Sequence, residues 1–264
     1  MSDRFSRQSF LGERAEETIS TARIAVVGLG GGGSHVVQQL AHVGFRIFVL
    51  YDHDLIESTN LNRLVGGTTM DVAMKLSKTL IAERVIRGLA PDAVVHRIGK
   101  RWQDDPEPLR SCDVVVGCVD SYRDRWELQV ASRRFLIPHI DLGLDVRTVP
   151  PDPPRMSGQV VLSVPGGPCL RCMRFITDEN LAIEAQRYGD AGPGAQVVWA
   201  NGVLASAAVG ILVELLTGWT RRKLDYIYLS YDGNTSTLDA DRRSGYIEKP
   251  CPHFSADDVG EPKI

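Results

Sequence analysis

The sequence predicts an α/β fold in which a doubly wound, mainly parallel sheet is continued by antiparallel strands in the C-terminal part. Up to residue 140, short apolar runs alternate with stretches of helical periodicity, which is the pattern of repeated βαβ units. A proline-rich segment at residues 149–154 ends this alternation, and the apolar runs beyond it are typical of mixed or antiparallel pairing. A chain of 264 residues can hold one large α/β domain or two small ones, and no internal repeat or low-complexity tract is visible.

Each predicted element of the first half depends on its apolar pattern. The strands are continuous apolar runs, as expected for strands buried on both faces, and the helices are stretches in which apolar residues recur every three or four positions. Pro91 ends the longest of these helices, and short helices among the charges of residues 3–20 are expected to pack on the edge of the domain. In order, the predicted elements are strand 24–27, a helix reaching Val43, strand 47–51, loop 52–69, helix 72–89, strand 94–98, strand 112–118, helix 122–135 and strand 136–140.

The second half is predicted to contain strand 159–164, helix 197–216, and strands 226–229 and 236–238. Helix 197–216 is the one long apolar run. It contains Trp199, Asn201 and Glu214, which make it too polar for a membrane span, so we expect a helix of the protein core.

A glycine-rich turn joins the first strand to the first long helix, and it contains Gly28, Gly30, Gly31 and Gly33. Glycines let the backbone approach phosphate oxygens closely, while the first N–H groups and the dipole of a helix stabilise negative charge. The next strand ends at Asp52, where a carboxylate can accept hydrogen bonds from ribose hydroxyls. Strand, turn, helix and acidic residue together predict a nucleotide-binding site.

Composition limits the other function classes. The formal net charge of -3 gives no basic footprint for nucleic acid or anionic membrane. Five cysteines are an odd and modest number, and residues 1–21 are charged, without the apolar run of a signal peptide. We therefore expect a cytoplasmic protein whose cysteines are buried, metal-bound or reactive rather than paired in disulfides.

The residues that follow the second strand make the prediction more specific, because they read Asp-His-Asp-Leu-Ile-Glu-Ser-Thr-Asn-Leu-Asn-Arg. With the glycine turn, this stretch resembles the ThiF/MoeB superfamily, the adenylating enzymes related to ubiquitin-activating enzymes. The residues that carry the resemblance are Gly28, Gly30, Gly31, Gly33, Asp52, Asp54, Asn60, Leu61 and Arg63. The resemblance extends over about residues 4–216, and it implies a single domain over residues 1–264 with a Rossmann-like fold. Its nucleotide-binding half is 1–148, and the half that holds the crossover segment, a zinc site and the carrier-binding surface is 149–264.

The same resemblance implies an ATP-dependent reaction at Mg²⁺, with Asp52 on the ribose and Asn60 and Arg63 on the triphosphate. A lysine of the following helix completes the phosphate site. Counting back from Pro91 gives Lys78, whereas counting forward from Arg63 favours Lys75. We predict Lys78 and leave Lys75 open.

Two further positions match the superfamily at its Mg²⁺ or ATP site and at its dimer contact. Asp120 stands in Cys-Val-Asp-Ser where relatives have a ligand of Mg²⁺ or ATP, although Asp120 or Ser121 can also be a plain helix N-cap. Arg125 fits the pattern more weakly. Arg7 matches an opening arginine that reaches the ATP site of the partner subunit, which implies a homodimer; without the resemblance, an exposed arginine is the simpler interpretation.

A zinc site is implied in the second half. Cys169 and Cys172 form a CxxC pair, which is a common half of a tetrahedral zinc site. The superfamily has a second CxxC near the C-terminus, but here that region reads Cys251-Pro252-His253-Phe254. We predict structural zinc held by Cys169, Cys172, Cys251 and His253, with a redox pair or plain buried thiols as the alternatives.

Some relatives carry an acyl-accepting cysteine after the zinc pair, and this chain has none between Cys172 and helix 197–216. Cys112 and Cys118 are interpreted as core residues of strand 112–118. The resemblance then implies adenylation of the C-terminal carboxylate of a small ubiquitin-like or sulfur-carrier protein. Two outcomes stay open: the enzyme stops at the adenylate, or it passes the acyl group to a cysteine-bearing partner protein. Adenylation of a modified tRNA base, a dinucleotide-dependent oxidoreductase and a nucleotide-binding scaffold remain alternatives; Asn60, Arg63 and Lys78 have no role in hydride transfer.

Overall fold

The helices and strands follow the chain in the alternating order that the sequence predicts, in a computed structural model that describes residues 3–148, 150–186, 195–241, 247, 250–254 and 259–260. The α-helices are α1 (Ala15–Thr21), α2 (Gly31–Val43), α3 (Thr69–Ala73), α4 (Lys78–Leu89), α5 (Tyr122–Arg134), α6 (Asp178–Gln186) and α7 (Val198–Thr217). The strands are β1 (Arg23–Val27), β2 (Ile47–Tyr51), β3 (Val94–Ile98), β4 (Val114–Gly117), β5 (His139–Arg147), β6 (Arg155–Ser163), β7 (Tyr226–Asp232) and β8 (Thr237–Ala240). Short 3-10 helices lie at Asp3–Leu11, Ser58–Asn60, Trp102–Asp104 and Glu107–Ser111.

One eight-stranded sheet runs through the described part of the chain in the order β3-β2-β1-β4-β5-β6-β7-β8. The pairs from β3 to β5 are parallel, and the pairs from β5 to β8 are antiparallel. The predicted fold class is therefore confirmed. The chain leaves β1 on one side towards β2 and β3 and later returns to its other side as β4, so the strand order reverses between β1 and β4, where ligands bind in open α/β sheets.

Both faces of the parallel strands are buried because helices cover each of them. Alternate residues of β1, such as Ile24 and Val26, join the apolar cluster that contains α2 and α7, while Ala25 and Val27 join the cluster on the opposite face with Leu128 of α5. This explains why these strands read as continuous apolar runs.

The predicted helix 72–89 is wrong in its first part. The chain forms α3, breaks, and begins α4 only at Lys78. At the break Lys75 has φ 52°, and Ile56 N–H donates to the Leu76 carbonyl at 2.9 Å. Ser77 then caps α4 by accepting from the backbone N–H of Leu80. Local capping and pairing with the preceding loop therefore override the helical periodicity.

Several strand boundaries also differ from the prediction. The fifth strand was expected at 136–140, but Leu136 lies in a turn with φ 55°, and β5 instead extends through Asp145 to Arg147. Antiparallel pairing with β6 stabilises this polar extension, which an apolar pattern does not reveal. The predicted strands 159–164, 226–229 and 236–238 correspond to β6, β7 and β8. The observed bounds of these strands are likewise shifted or longer.

The apolar run near residue 200 forms α7, which is the one helix of the described chain that is long and apolar enough to cross a membrane by length and composition alone. Of its most apolar stretch of 18 residues, 56% is buried within the protein. The helix packs on α2, β5 and β6. This packing agrees with the predicted core helix.

Candidate functional site

A cavity of about 280 Å³ opens at the carboxyl ends of β1, β2 and β4, at the point where the strand order reverses. Of the residues predicted from the sequence, those that line it are Gly28, Gly30, Gly31, Asp52, Asp54, Asn60, Arg63, Lys78 and Asp120. Residues as far apart in the chain as Gly28 and Asp120, which are separated by 92 positions, therefore line one cavity.

The glycine turn gives this cavity a wall of backbone. Gly28 has φ +88°, and a Cβ there would lie 2.6 Å from the Cys118 carbonyl oxygen, so the turn and the end of β4 approach too closely for a side chain. Gly33 does not line the cavity; a Cβ on it would lie 1.9 Å from the Gly28 carbonyl oxygen, so this glycine permits close packing of helix on turn. Helix α2 begins at Gly31 without a side-chain cap, which leaves its first N–H groups directed towards the cavity.

Asp52 is held at the end of β2 by the backbone. One carboxylate oxygen accepts the N–H of Leu29 at 2.7 Å, and the other accepts the N–H of Asp54 at 2.9 Å. Burial raises the pKa of Asp52, while the nearby charge of Lys78 and these two hydrogen bonds oppose the increase. The result is an oriented acceptor with lone pairs left for a ligand hydroxyl.

Lys78 enters the cavity because Asp54 holds it twice. The backbone N–H of Lys78 donates to the Asp54 carbonyl at 3.1 Å, and Nζ pairs with the Asp54 carboxylate at 2.6 Å. Burial acts to raise the pKa of Asp54, but the hydrogen bond and charge of Lys78 outweigh it and lower that pKa. Lys75 is exposed and does not line the cavity, so of the two candidate lysines the structure brings Lys78 to the site.

Arg63 and Asn60 stand on the loop after β2. Nη1 of Arg63 donates to the Thr59 carbonyl at 2.6 Å and to the Asn62 side chain at 3.0 Å, which fixes the guanidinium. Among the described residues, no acceptor lies within hydrogen-bond distance of its other N–H groups. The side-chain oxygen of Asn60 accepts the N–H of Glu57. Both residues are therefore positioned by the local turn rather than by a partner across the cavity.

Asp120 follows β4 and keeps its carboxylate free of the helix. Ser121 is the N-cap of α5, since its hydroxyl accepts the N–H of Asp124 at 2.9 Å. The alternative that Asp120 is the cap is therefore wrong. One oxygen of Asp120 accepts from the Gln196 side chain at 3.3 Å. The Glu184 carboxylate accepts the backbone N–H groups of Tyr122 and Arg123 at the start of α5.

Arg125 and Cys118 form the deep wall of the cavity. Arg125 is buried and pairs with the fully buried Asp141 at 2.5 Å. Cys112 is buried as expected, and Cys118 is half-buried against the apolar core, but both cysteines lie just outside β4, and Cys118 also lines the cavity. Burial, together with the charge of Asp141, raises the pKa of the Cys118 thiol, which keeps it a poor nucleophile.

Arg7 lies exposed on the 3-10 helix Asp3–Leu11 and does not line the cavity of its own chain. Its predicted contact to a partner subunit stays a prediction.

Other lining residues were missed from the sequence. Asn201 of α7 is 4% exposed, and a Cβ on Gly31 would lie 2.4 Å from its side-chain nitrogen and 3.3 Å from Cδ of Arg63. An asparagine within an otherwise apolar helix was the signal for it. Lys100 and Gln103 also line the cavity; they follow β3, and their position at the carboxyl end of a parallel strand was the available clue.

A second site lies around the cysteines of the C-terminal half. Sγ of Cys169 is 3.6 Å from Sγ of Cys172 and 3.5 Å from Nδ1 of His253, and the distances from Nδ1 to Sγ of Cys172 and of Cys251 are 3.4 and 3.9 Å. A tetrahedral zinc with bonds of about 2.3 Å to sulfur and about 2.0 Å to nitrogen places S···S pairs about 3.8 Å and S···N pairs about 3.5 Å apart. The four predicted ligands fit these spacings, and all four ligand atoms lie within 4.8 Å of one another.

Comparison with known proteins identifies the family. The model of the ThiF family matches residues 4–251. Three curated relatives match over about 60–65% of this chain: the SAMP-activating enzyme E1 of Haloferax volcanii (32% identity, 65% of this chain and 61% of the relative), the sulfur carrier protein adenylyltransferase of Thermus thermophilus (30%, 65% and 63%) and the ubiquitin-like modifier-activating enzyme 5 of Rattus norvegicus (27%, 59% and 40%). The chain thus spans about two fifths to three fifths of the length of these relatives.

Solved structures agree on the fold. Crystal structures of E. coli MccB with succinimide and with ATP superpose with TM-scores of 0.73 and 0.72 at 21% and 20% identity, covering 91% of this chain and 72% and 71% of theirs.

Proposed function

The chain belongs to the ThiF family, and from this membership we propose that it is an ATP-dependent adenylyltransferase acting on the C-terminal carboxylate of a small ubiquitin-like or sulfur-carrier protein. The curated relatives are named for such substrates: SAMP, a ubiquitin-like modifier and a sulfur carrier protein. The observation that carries the proposal is the gathering of Asp52, Arg63, Lys78 and Asp120 around one cavity at the switch in strand order.

In the proposed reaction an oxygen of the carrier's carboxylate attacks the α-phosphorus of ATP. A new O–P bond forms, the bond between the α-phosphorus and the bridging oxygen breaks, and pyrophosphate leaves with that oxygen and its electron pair. Negative charge builds on the phosphoryl oxygens, so fixed cations at that position lower the barrier. We assign this work to Arg63 and Lys78, the ribose to Asp52, and the triphosphate approach to the backbone of the glycine turn.

Mg²⁺ supplies further charge neutralisation at the phosphates when it is bound. Asp120 suits it because its carboxylate lines the cavity and is not consumed in capping α5. The glycine turn and Asp52 would also suit a dinucleotide, but hydride transfer needs neither Arg63 nor Lys78, so these two residues favour adenylation over an oxidoreductase.

We further propose that the enzyme works as a homodimer in the cytoplasm, with Arg7 of each chain reaching the ATP site of the other. Arg7 is exposed and does not line the cavity of its own chain, which fits such a contact in trans. With the Cys118 thiol unreactive and no cysteine between Cys172 and α7, the activated acyl group passes to a cysteine of a partner protein.

We propose structural Zn²⁺ for the cluster of Cys169, Cys172, Cys251 and His253. The set contains three sulfurs and one imidazole at tetrahedral spacings, which suits zinc and leaves no open position for a reacting ligand. The ion would tie the segment around Cys251 to the turn after β6, and it would take no part in phosphoryl chemistry.

The test is intact-mass spectrometry of purified chain mixed with Mg-ATP and each small ubiquitin-like or sulfur-carrier protein of the same genome that ends in glycine. We expect an AMP adduct on the carrier, with pyrophosphate-dependent exchange of label into ATP. The matched control is the same carrier without its terminal residue, and an Arg63→Ala enzyme provides a second. No adduct on any carrier from an enzyme that still binds ATP would contradict the proposal.

A further inference from the structure

Arg133 of α5 is a buried cation without an acidic partner among the residues that the structure describes. Its side chain is 3% exposed. Nη2 donates to the Ser163 hydroxyl at 2.7 Å and to the carbonyls of Gly167 and Pro168, each at 2.9 Å, and Nε has no acceptor. All of its acceptors are uncharged. A guanidinium taken out of water in this way is costly unless an anion lies close to it.

The neighbourhood of Arg133 is the cysteine cluster. Gly167 and Pro168, which accept its hydrogen bonds, directly precede Cys169. The guanidinium also lies over the ring of Phe254, 5.6 Å from its centroid, and Phe254 directly follows His253. Arg133 therefore contacts both chain segments that carry the predicted ligands.

Electrostatics point the same way. Burial lowers the pKa of Arg133, and the nearby sulfurs of Cys169, Cys251 and Cys172 oppose this by favouring the charged guanidinium. By contrast, the other buried arginine of α5, Arg125, has its own carboxylate in Asp141. Among the described residues Arg133 has no such carboxylate, and the groups that favour its charged form are the three cysteines.

We propose that Arg133 is the counter-charge of the metal centre, a positioning residue that strengthens zinc binding by neutralising a zinc–trithiolate–imidazole group. Three thiolates and one neutral imidazole around Zn²⁺ leave a net charge of about −1, which one buried guanidinium balances. This inference rests on the proposed zinc site and is independent of AMP transfer. Its consequence is that the metal stabilises the protein in two ways, by joining two segments and by compensating a buried cation.

The experiment measures zinc affinity of the full-length chain by competition with a chromogenic chelator. Arg133→Gln removes the charge, and Arg133→Lys keeps the charge without the planar guanidinium. Ser163→Ala removes one hydrogen-bond acceptor of Arg133 without a change of charge. We expect Arg133→Gln to bind zinc about 10–100-fold more weakly, as for other residues that support metal ligands, and the other two variants to stay within several-fold of the wild type.

A second readout separates charge compensation from simple bracing. The rise in melting temperature on adding zinc to chelator-treated protein should be smaller for Arg133→Gln than for the wild type. If Arg133 only supports the fold, as we expect of Ser163, its substitution should lower the melting temperatures of the zinc-free and the zinc-bound protein equally. The increment would then stay unchanged.

Wild-type zinc affinity in Arg133→Gln, or equal loss in Arg133→Gln and Arg133→Lys, would overturn the inference. If Arg133→Gln does not fold, Arg133→Lys decides alone, since loss of zinc from that charge-preserving variant also overturns it. A wild-type chain that binds no zinc would remove the metal site and this inference together, whereas loss of AMP transfer with zinc retained would affect only the proposed reaction.

Discussion

The nucleotide cavity and the cysteine–histidine cluster both contact α5, but their side chains are held in different ways. Around the cavity, Asp52 and Lys78 are fixed by backbone groups at the ends of strands and helices, so the sheet positions them before any ligand arrives. In the cluster, Cys172 stands on a turn and Cys251 in an irregular segment. The two are separated by 79 positions in the chain, and they belong to no common helix or strand pair among the described residues. The fold builds the first site, whereas the metal at the second site would help to build the fold.

This comparison predicts that damage at the cavity costs chemistry and damage at the cluster costs stability. The largest effect is expected for Arg63→Ala, which removes a fixed cation from the growing charge on the phosphoryl group. We expect ATP–pyrophosphate exchange to fall about 10²–10³-fold, the range found when a single charge-stabilising donor is removed. The exchange rate of the Asp120→Ala variant should fall by a comparable factor at saturating Mg²⁺.

The control for both variants is thermal unfolding, which should stay close to the wild type because Arg63 bonds to Thr59 and Asn62 of its own loop and Asp120 does not cap α5. Lys75→Ala, on a lysine outside the cavity, should leave exchange unchanged. Near-normal exchange in both Arg63→Ala and Asp120→Ala would refute the assigned roles.

The opposite behaviour is expected at the cluster. Cys172→Ser, or chelation of the metal, should lower the melting temperature by about 10 °C, equivalent to about 3 kcal/mol at about 2–4 °C per kcal/mol for a chain of this size. Exchange measured well below the melting temperature should persist, because no ligand of the cluster lines the cavity. Metal content by atomic emission, measured beside the melting curve, checks the cause. An unchanged melting curve in a metal-free preparation would eliminate the zinc site.

The sequence predicted the parallel part of the sheet and the cavity better than the rest, and the reason is physical. The glycine turn and Asp52 each follow directly on an apolar strand, so their position at strand ends can be read from the local sequence. Asn201 reaches the cavity only through tertiary packing of α7 against α2, so its polarity within an apolar helix indicates a special role but not the site that it joins. The extension of β5 to Arg147 likewise depends on its antiparallel partner β6.

Two glycines at the start of α2 allow a loss of stability to be compared with a loss of ATP binding. Gly33→Ala places a methyl group 1.9 Å from the Gly28 carbonyl oxygen, so it should destabilise the protein by about 1–3 kcal/mol through overpacking. Gly30→Ala meets no protein atom within 4 Å, yet it fills space in the cavity. It should therefore leave the melting temperature unchanged and weaken ATP binding. Chemical denaturation and ATP titration of the two variants check this, and equal effects on stability would contradict the division of roles.

The smallest effect concerns the border between the parallel and antiparallel strands, where His139 begins β5. His139 is completely buried, and burial lowers its pKa from the ordinary value of 6.5 to about 4. As the pH falls from 6.5 towards 4, the unfolded chain takes up a proton that the folded chain does not, so stability falls over that window. At pH 5.5 the expected loss is about 1 kcal/mol, at about 1.4 kcal/mol for each unit of pKa difference. His139→Asn should flatten the slope of unfolding free energy against pH between 6.5 and 4, measured by urea unfolding, even if the variant is less stable throughout. A slope equal to that of the wild type would show that other groups carry the acid sensitivity, and that this border is not weakened by acid at His139.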